Sequence, residues 1–236
     1  MGKLIGELSV FFPAYNEEKN IEKTVLDAKK VLEKYADKWE ILIVNDGSKD
    51  NTGKIATKLK KKDKRIKIVN HKVNRGYGEA LKSGFYNSKY AWITTIDADG
   101  QYDFSEITKL YKLSDDAQVV IGYRLERQDP AIRKLFGWGW TMLANILLGI
   151  RVKDVDCSFK LVKKQVIDTI PKLESTRGGM ISPELLAKAR KTGFTIDQVG
   201  VHHYPRVEGQ QSGADLNVII NSFVDLVKLW GKIKLG

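Results

Sequence analysis

Ala91-Trp92-Ile93-Thr94-Thr95-Ile96-Asp97-Ala98-Asp99-Gly100-Gln101 is the stretch that decides how this chain is read. An apolar, β-branched run leads directly into two carboxylates spaced i, i+2, followed by a glycine and an amide. Such a run predicts a strand whose end opens onto a loop. In open α/β sheets, ligands bind at the carboxyl ends of strands. Two carboxylates this close repel each other unless positive charge sits between them. A hard divalent cation, Mg²⁺ or Mn²⁺, supplies it, because such ions take oxygen ligands and share phosphate oxygens. Asp97 and Asp99 are therefore candidate metal ligands, although the same residues taken alone also read as a solvated turn.

The surrounding segments predict a sheet that puts this loop beside others. Leu8–Phe12 reads as a strand stopped by Pro13, and Trp39–Val44 as a second strand, apolar along its length as expected when both faces are covered. Between them Ile21, Val25, Ala28, Val31, Leu32 and Tyr35 recur at helical spacing, with Asn16 as the expected cap. Thr52–Lys62 and Gly76–Asn87 read as helices around a short strand at Ile66–Val69; Phe104–Leu113 reads as a helix and Gln118–Ile121 as a strand. This βαβα alternation predicts one α/β domain with a mostly parallel sheet flanked by helices. No repeat or low-complexity linker interrupts it.

The other strand ends carry polar groups as well. The first ends Pro13-Ala14-Tyr15-Asn16-Glu17-Glu18, where a ring, an amide and carboxylates suit stacking on and hydrogen bonding to a nucleobase. The second ends Asn45-Asp46-Gly47-Ser48, which brings Asp46 to a base or ribose hydroxyl, or else makes an ordinary Asp-Gly turn. Asn74-Arg75-Gly76-Tyr77-Gly78 opens a helix with glycines suited to close approach by an anion, but lacks the dinucleotide-binding spacing.

The chain has 236 residues, enough for a full core. Forty Lys and Arg against 29 Asp and Glu give a net charge of +11, which points to an anionic partner. The basic run from Lys58 to Lys67 has no interleaved aromatics to stack bases and falls where a helix meets a strand, so nucleic acid is not expected. The single cysteine, Cys157, excludes an internal disulfide and has no metal-site spacing.

In order and spacing, Pro13-Ala14-Tyr15-Asn16-Glu17, Val44-Asn45-Asp46-Gly47-Ser48, Asn74-Arg75-Gly76 and Asp97-Ala98-Asp99-Gly100-Gln101 resemble glycosyltransferase family 2. The chain is similar in particular to its dolichyl- or polyprenyl-phosphate sugar synthase branch. Further matching segments are Ile121-Gly122-Tyr123-Arg124, Arg133-Lys134-Leu135, Asp154-Val155-Asp156-Cys157-Ser158-Phe159-Lys160 and Tyr204-Pro205-Arg206. The resemblance implies a GT-A-like fold and a metal-dependent, inverting hexosyltransferase. The donor would be a nucleotide sugar of the GDP-mannose or UDP-glucose type, and the acceptor a polyprenyl or dolichyl phosphate. It also implies roles. Pro13, Tyr15, Asn16, Glu17, Asp46, Asp97 and Ala98 would hold the donor. Asp97, Asp99 and Gln101 would lie at Mg²⁺ or Mn²⁺. Asp99, Arg124, Arg133 and Arg206 would serve catalysis, with Arg206 on the donor diphosphate and Arg124 and Arg133 on the acceptor phosphate.

A phosphate acceptor needs cations more than a base, since its second pKa is about 6. A hydroxyl acceptor on a glycan or lipid needs a general base, for which Glu184 after Pro183, or another carboxylate, is the candidate, with helix capping the other reading of Glu184. A non-catalytic nucleotide-binding module is the remaining alternative. His202 and His203 point to opposite faces of a strand and do not predict a joint metal site.

Residues 1–215 are expected to form the catalytic domain and 216–236 an amphipathic C-terminal helix. Trp138, Trp140 and their apolar neighbours lie between Arg133, Lys134, Arg151 and Lys153, and the tail repeats the pattern with Phe223, Trp230 and Lys228. Tryptophan beside basic residues suits a membrane interface, and neither stretch is long enough to span. The expectation is a peripheral protein at the cytoplasmic face of a membrane; a core or homodimer interface would produce the same pattern.

Overall fold

The computed structural model describes residues 2–125, 131–176, 178–205 and 216–235. The chain runs β1 (Ile5–Ala14), α1 (Ile21–Tyr35), β2 (Ala36–Asp46), α2 (Thr52–Lys62), β3 (Ile66–His71), α3 (Tyr77–Asn87) and β4 (Trp92–Thr95). After a 3₁₀ turn at Phe104–Glu106 come α4 (Ile107–Tyr111), β5 (Val119–Leu125), α5 (Ala131–Leu148), β6 (Lys160–Lys163) and α6 (Lys164–Thr169). The last elements are α7 (Gly178–Lys191), β7 (Ile196–His202) and α8 (Leu216–Leu235).

One seven-stranded sheet has the order β3-β2-β1-β4-β6-β5-β7. Strand β6 alone is antiparallel to its neighbours β4 and β5, and every other pair is parallel. From β1 the chain winds outward through β2 to β3, then returns to lay β4 on the opposite side of β1. The carboxyl ends of β1 and β4 thus flank a topological switch point, where an open α/β sheet offers a crevice.

Alternation along the strands sorts the core into two layers. Val10, Phe12, Ile41 and Ile43 meet Ile21, Val25 and Leu32 of α1 and Leu59 of α2. Phe11, Leu42 and Val44 face Leu81 and Phe85 of α3, together with residues of α5, α7 and α8. The two periods, 2 in the strands and 3.6 in the helices, place apolar side chains on both faces of the sheet. The C-terminal helix joins this packing through the buried Leu226 and Leu229.

Several local expectations change. Strand β1 continues through Pro13. The Phe11 carbonyl accepts from Ile96 on the β4 side, so residue 13 faces that side too, where β4 has already ended at Thr95. No ladder hydrogen bond is lost there, and proline is tolerated. Asn16 does not cap α1. The N-cap is Asn20, and Asn16 sits in the left-handed region at φ 56°, a conformation asparagine tolerates. The expected helix at Phe104–Leu113 is a 3₁₀ turn followed by the short α4. Strand β6 was not foreseen, because four residues are too few to carry a period.

Candidate active site

The loops after β1 and β2 are tied into one rim. Asn16 donates its backbone N–H to Ser48 Oγ (3.1 Å) and accepts the Lys49 N–H on Oδ1 (2.8 Å). The Glu17 N–H donates to Thr52 Oγ1 and the Glu18 N–H to Asp50 Oδ2. The left-handed turn at Asn16 thus serves to stitch the end of β1 to the end of β2. Beside it Tyr15 exposes its ring, Glu17 holds Asn20 Nδ2 on Oε2, and Pro13 and Ala14 are buried against β2.

Asp46 lies at the end of β2, only 2% exposed. Its Oδ1 meets His71 Nδ1 at 2.5 Å and accepts the Arg75 N–H at 2.9 Å, while Oδ2 accepts the Gly76 N–H at 2.9 Å. The other His71 nitrogen reaches Ser83 Oγ at 2.9 Å. Gly76 has φ 92°, a conformation that favours glycine, so the chain can turn sharply into α3 with its amide aimed at Asp46.

The two carboxylates after β4 are half-buried, with Ala98 buried between them. The Tyr77 hydroxyl donates to Asp97 Oδ1 at 2.7 Å, and Asp99 Oδ1 accepts the Gln101 N–H at 3.1 Å. Gln101 also donates its side-chain amide to the Tyr204 carbonyl (2.9 Å) and accepts the Tyr204 N–H on its backbone oxygen (2.8 Å). Tyr102 pairs with His203 in the same short bridge. The carboxylate loop is thereby latched to the segment that follows β7. Among the described residues no group of three or more His, Cys, Asp and Glu side chains could hold a metal. Two carboxylates and an amide oxygen are nonetheless hard donors, and Mg²⁺ commonly binds one or two carboxylates with phosphate and water completing its shell. The residues present fit such an ion, with Asp97, Asp99 and Gln101 as the groups that would hold it.

On the far side of β4, Arg124 at the end of β5 donates from Nε to Asp154 Oδ2 (2.6 Å) and from Nη2 to Asp154 Oδ1 (2.8 Å). The carboxylate holds the guanidinium more firmly protonated despite its burial. Asp156 exposes its own surface but is ringed by protein. That surrounding mass, and then the Asp154 carboxylate, raises its pKa to about 6. Lys160, buried, gives its ammonium to the Cys157 carbonyl, and burial lowers its pKa. Burial likewise lifts the Cys157 thiol to about 11, which keeps it protonated and unreactive.

Of the other sequence candidates, Arg133 lies in the first turn of α5 with its side chain outside the described residues, and Arg206 lies outside them altogether. Glu184 is not poised as a base. It is buried in the second turn of α7, not the first, with Pro183 inside the helix. Its two oxygens accept the Glu174 and Ser175 N–H groups at 2.8 Å each, and Lys188 Nζ lies at 2.6 Å. Burial alone would raise the Glu184 pKa, but these donors outweigh it and lower it. His202 turns to Glu106 at 2.6 Å and His203 to the Tyr102 ring, in keeping with separate environments. Sequence reasoning missed His71 and Tyr77 as partners of Asp46 and Asp97. His71 stands directly across from Asp46 in the register of β2 and β3, a signal available only once that register is known.

Residues 9–170 match the sequence model of the family described as Glycosyl transferase family 2, and the chain belongs to that family. Among individual relatives, it is similar to a dolichyl-phosphate beta-glucosyltransferase of Trichomonas vaginalis, 32% identical over 235 residues, covering 92% of this chain and 68% of the relative. The dolichyl-phosphate beta-glucosyltransferase of Homo sapiens is 29% identical over 251 residues, covering 98% and 72%. Among solved structures, glucosyl-3-phosphoglycerate synthase from Mycobacterium tuberculosis, in complex with Mn²⁺, uridine diphosphate and phosphoglyceric acid, has a TM-score of 0.72 at 19% identity. The match covers 95% of this chain and 78% of that one, and it establishes a common GT-A-like fold.

Proposed function

We propose that the protein transfers one glucose from uridine diphosphate glucose to a polyprenyl phosphate of the dolichyl type, with inversion and with Mg²⁺ or Mn²⁺ bound at Asp97, Asp99 and Gln101. The observation that carries this reading is the Asp97–Asp99 pair at the switch point of the sheet, in a chain related over nearly its whole length to dolichyl-phosphate glucosyltransferases.

The preference for uridine rests on Asp46. Three acceptor directions of its carboxylate are taken by His71, Arg75 and Gly76, out of about four that a carboxylate offers. One remaining direction suits the single imino N–H of uracil, whereas the edge of guanine presents two neighbouring donors that want two acceptors. Tyr15 supplies an exposed ring for the base, with Pro13, Asn16, Glu17 and Ala98 shaping the donor site. Loss of the nucleoside diphosphate builds negative charge on the leaving group, and a bound divalent ion would neutralise it. Arg206 adds charge there in this reading. Arg124, with Arg133, holds the acceptor phosphate, which is already mostly dianionic and needs positioning more than deprotonation. Glu184, buried and committed to the Glu174 and Ser175 amides and to Lys188, serves as an anchor for the loop before α7, which favours the phosphate acceptor over a hydroxyl that would need it as a base.

The acceptor tail implies a lipid surface. Ile132, Leu135, Phe136, Trp138, Met142 and Ile146 are exposed on α5, and Val224 and Val227 on α8, which packs against α5 through Trp140 and Phe223. Among the described residues no helix is long and apolar enough to cross a membrane. We assign peripheral attachment at the cytoplasmic face, with 1–215 as the catalytic domain and 216–236 as a helix supporting the lipid-facing surface; a homodimer through the same face is the competing arrangement. The test is transfer from UDP-glucose and GDP-mannose to dolichyl phosphate, with Mn²⁺ and with EDTA. Metal-dependent glucosyl transfer supports the proposal; equal or better transfer from GDP-mannose, or undiminished activity in EDTA, overturns the corresponding part of it.

A further inference from the structure

Tyr77 joins the nucleoside end of the site to its metal end. Its backbone follows Gly76, whose amide is bound by Asp46, while its side chain reaches across to Asp97 Oδ1 at 2.7 Å. Several contacts fix that reach. Gly78, one residue on, packs so close to the Thr176 carbonyl that a Cβ there would lie 2.5 Å from its oxygen. The 174–176 segment is itself held by Glu184 through the Glu174 and Ser175 amides. Gly178 of α7 lies against the Tyr77 side chain. The hydroxyl is thus presented to Asp97 on a braced turn.

We propose that Tyr77 is a positioning residue that fixes the Asp97 carboxylate for metal binding, an inference that rests on the reading of Asp97 as a metal ligand. A carboxylate with one oxygen pinned by a rigid donor loses rotational freedom before the ion arrives. Partners of this kind orient metal ligands, and their loss typically weakens metal affinity by about 10- to 100-fold. The same turn delivers two amides to Asp46, so a nucleoside settling against Asp46 rests on the backbone that carries Tyr77.

The experiment is a Mn²⁺ titration of the full chain without nucleotide, followed by the electron paramagnetic resonance of free Mn²⁺, for the wild type, Tyr77→Phe and Asp97→Asn. Metal-free melting and metal-free UDP binding are measured alongside, at a temperature where all three proteins are folded. The expected result is Mn²⁺ affinity lower by about 10-fold or more in Tyr77→Phe, with metal-free UDP binding unchanged, and a larger loss in Asp97→Asn. Wild-type affinity in Tyr77→Phe together with loss in Asp97→Asn overturns the role of Tyr77 and leaves Asp97 as a ligand. Early melting of Tyr77→Phe with unaltered affinity per folded molecule overturns it equally, since the hydroxyl would then serve stability alone. Wild-type affinity in Asp97→Asn overturns the metal reading, and the role of Tyr77 with it.

Discussion

Arg124 and Asp154 meet as a two-point pair, Nε to Oδ2 at 2.6 Å and Nη2 to Oδ1 at 2.8 Å, with both side chains largely buried. The pairing uses two of the five N–H groups of the guanidinium and fixes its plane, so an incoming phosphate would meet a cation already in place. A pair this enclosed also makes the two residues depend on each other for stability.

Arg124→Lys is accordingly expected to keep the charge but lose the fork, raising KM for polyprenyl phosphate by about tenfold or more, the worth of one charge-assisted hydrogen bond. Calorimetry with uridine diphosphate should match the wild type. Arg124→Ala is a poorer probe, because it strands the Asp154 carboxylate and should cost about 3–5 kcal/mol of stability. Loss of uridine diphosphate binding in Arg124→Lys would move this residue to the donor site.

Asp99→Asn should abolish transfer while the protein stays folded. Asp99 is half-buried in the loop after β4, where a carboxylate contributes charge more than packing. Losing that charge should remove several kcal/mol of leaving-group stabilisation. Near-normal turnover by the purified variant in saturating Mn²⁺ contradicts the assignment.

Asp156 provides a pH test. Its pKa is raised from 3.8 to about 6 by the protein around it and by Asp154, so between these values the folded protein holds a proton that the unfolded chain releases. Stability from this group is therefore present below pH 3.8 and is lost as pH rises through about 6. Asp156→Asn should melt higher than the wild type at pH 7, with the gap closing towards pH 4. A gap independent of pH would mean that Asp156 titrates like an ordinary surface carboxyl. Because its surface is exposed, the gap should be well short of the full value of the shift.

The residues that chose the fold were those with strong periods. Val10, Phe11 and Phe12 alternate between two helix layers, and Ile21, Val25 and Leu32 share one helix face, so the β1–α1–β2 unit could be read directly. Asp97 and Asp99 could be read too, because they follow an apolar strand without a break. What could not be read were partners distant in sequence. Asp46 with His71, Asp97 with Tyr77 and Gln101 with Tyr204 are separated by 25, 20 and 103 residues, and only strand order and register bring them together. Glu184 shows the converse error. A proline followed by a glutamate matches a helix start, yet packing carried α7 upstream to Gly178 and turned the glutamate into an anchor for the loop before it.

The two tryptophans separate the surface proposed to face lipid from the core. Trp138 is 62% exposed on the same side of α5 as Leu135, Met142 and Ile146. Trp140 points elsewhere: its ring stands edge-on to Phe223 of α8 at 5.7 Å, and its indole bonds to Asp156. Substituting both together would mix two effects, so each is changed alone. Trp138→Ser should weaken binding to vesicles containing anionic lipid and slow transfer to a long-chain acceptor, while sparing a short soluble phosphate and the melting temperature. If exposed Lys134, Arg151, Lys153 and Lys228 meet an anionic surface, each would add roughly 1 kcal/mol, so the residual binding should fall steeply with salt. Trp140→Ser should instead lower the melting temperature and impair both acceptors alike, because it opens the junction of α5 and α8 beside Asp156. If Trp138→Ser leaves vesicle binding intact but dissociates a dimer, the exposed stripe belongs to a second copy of the chain and not to lipid.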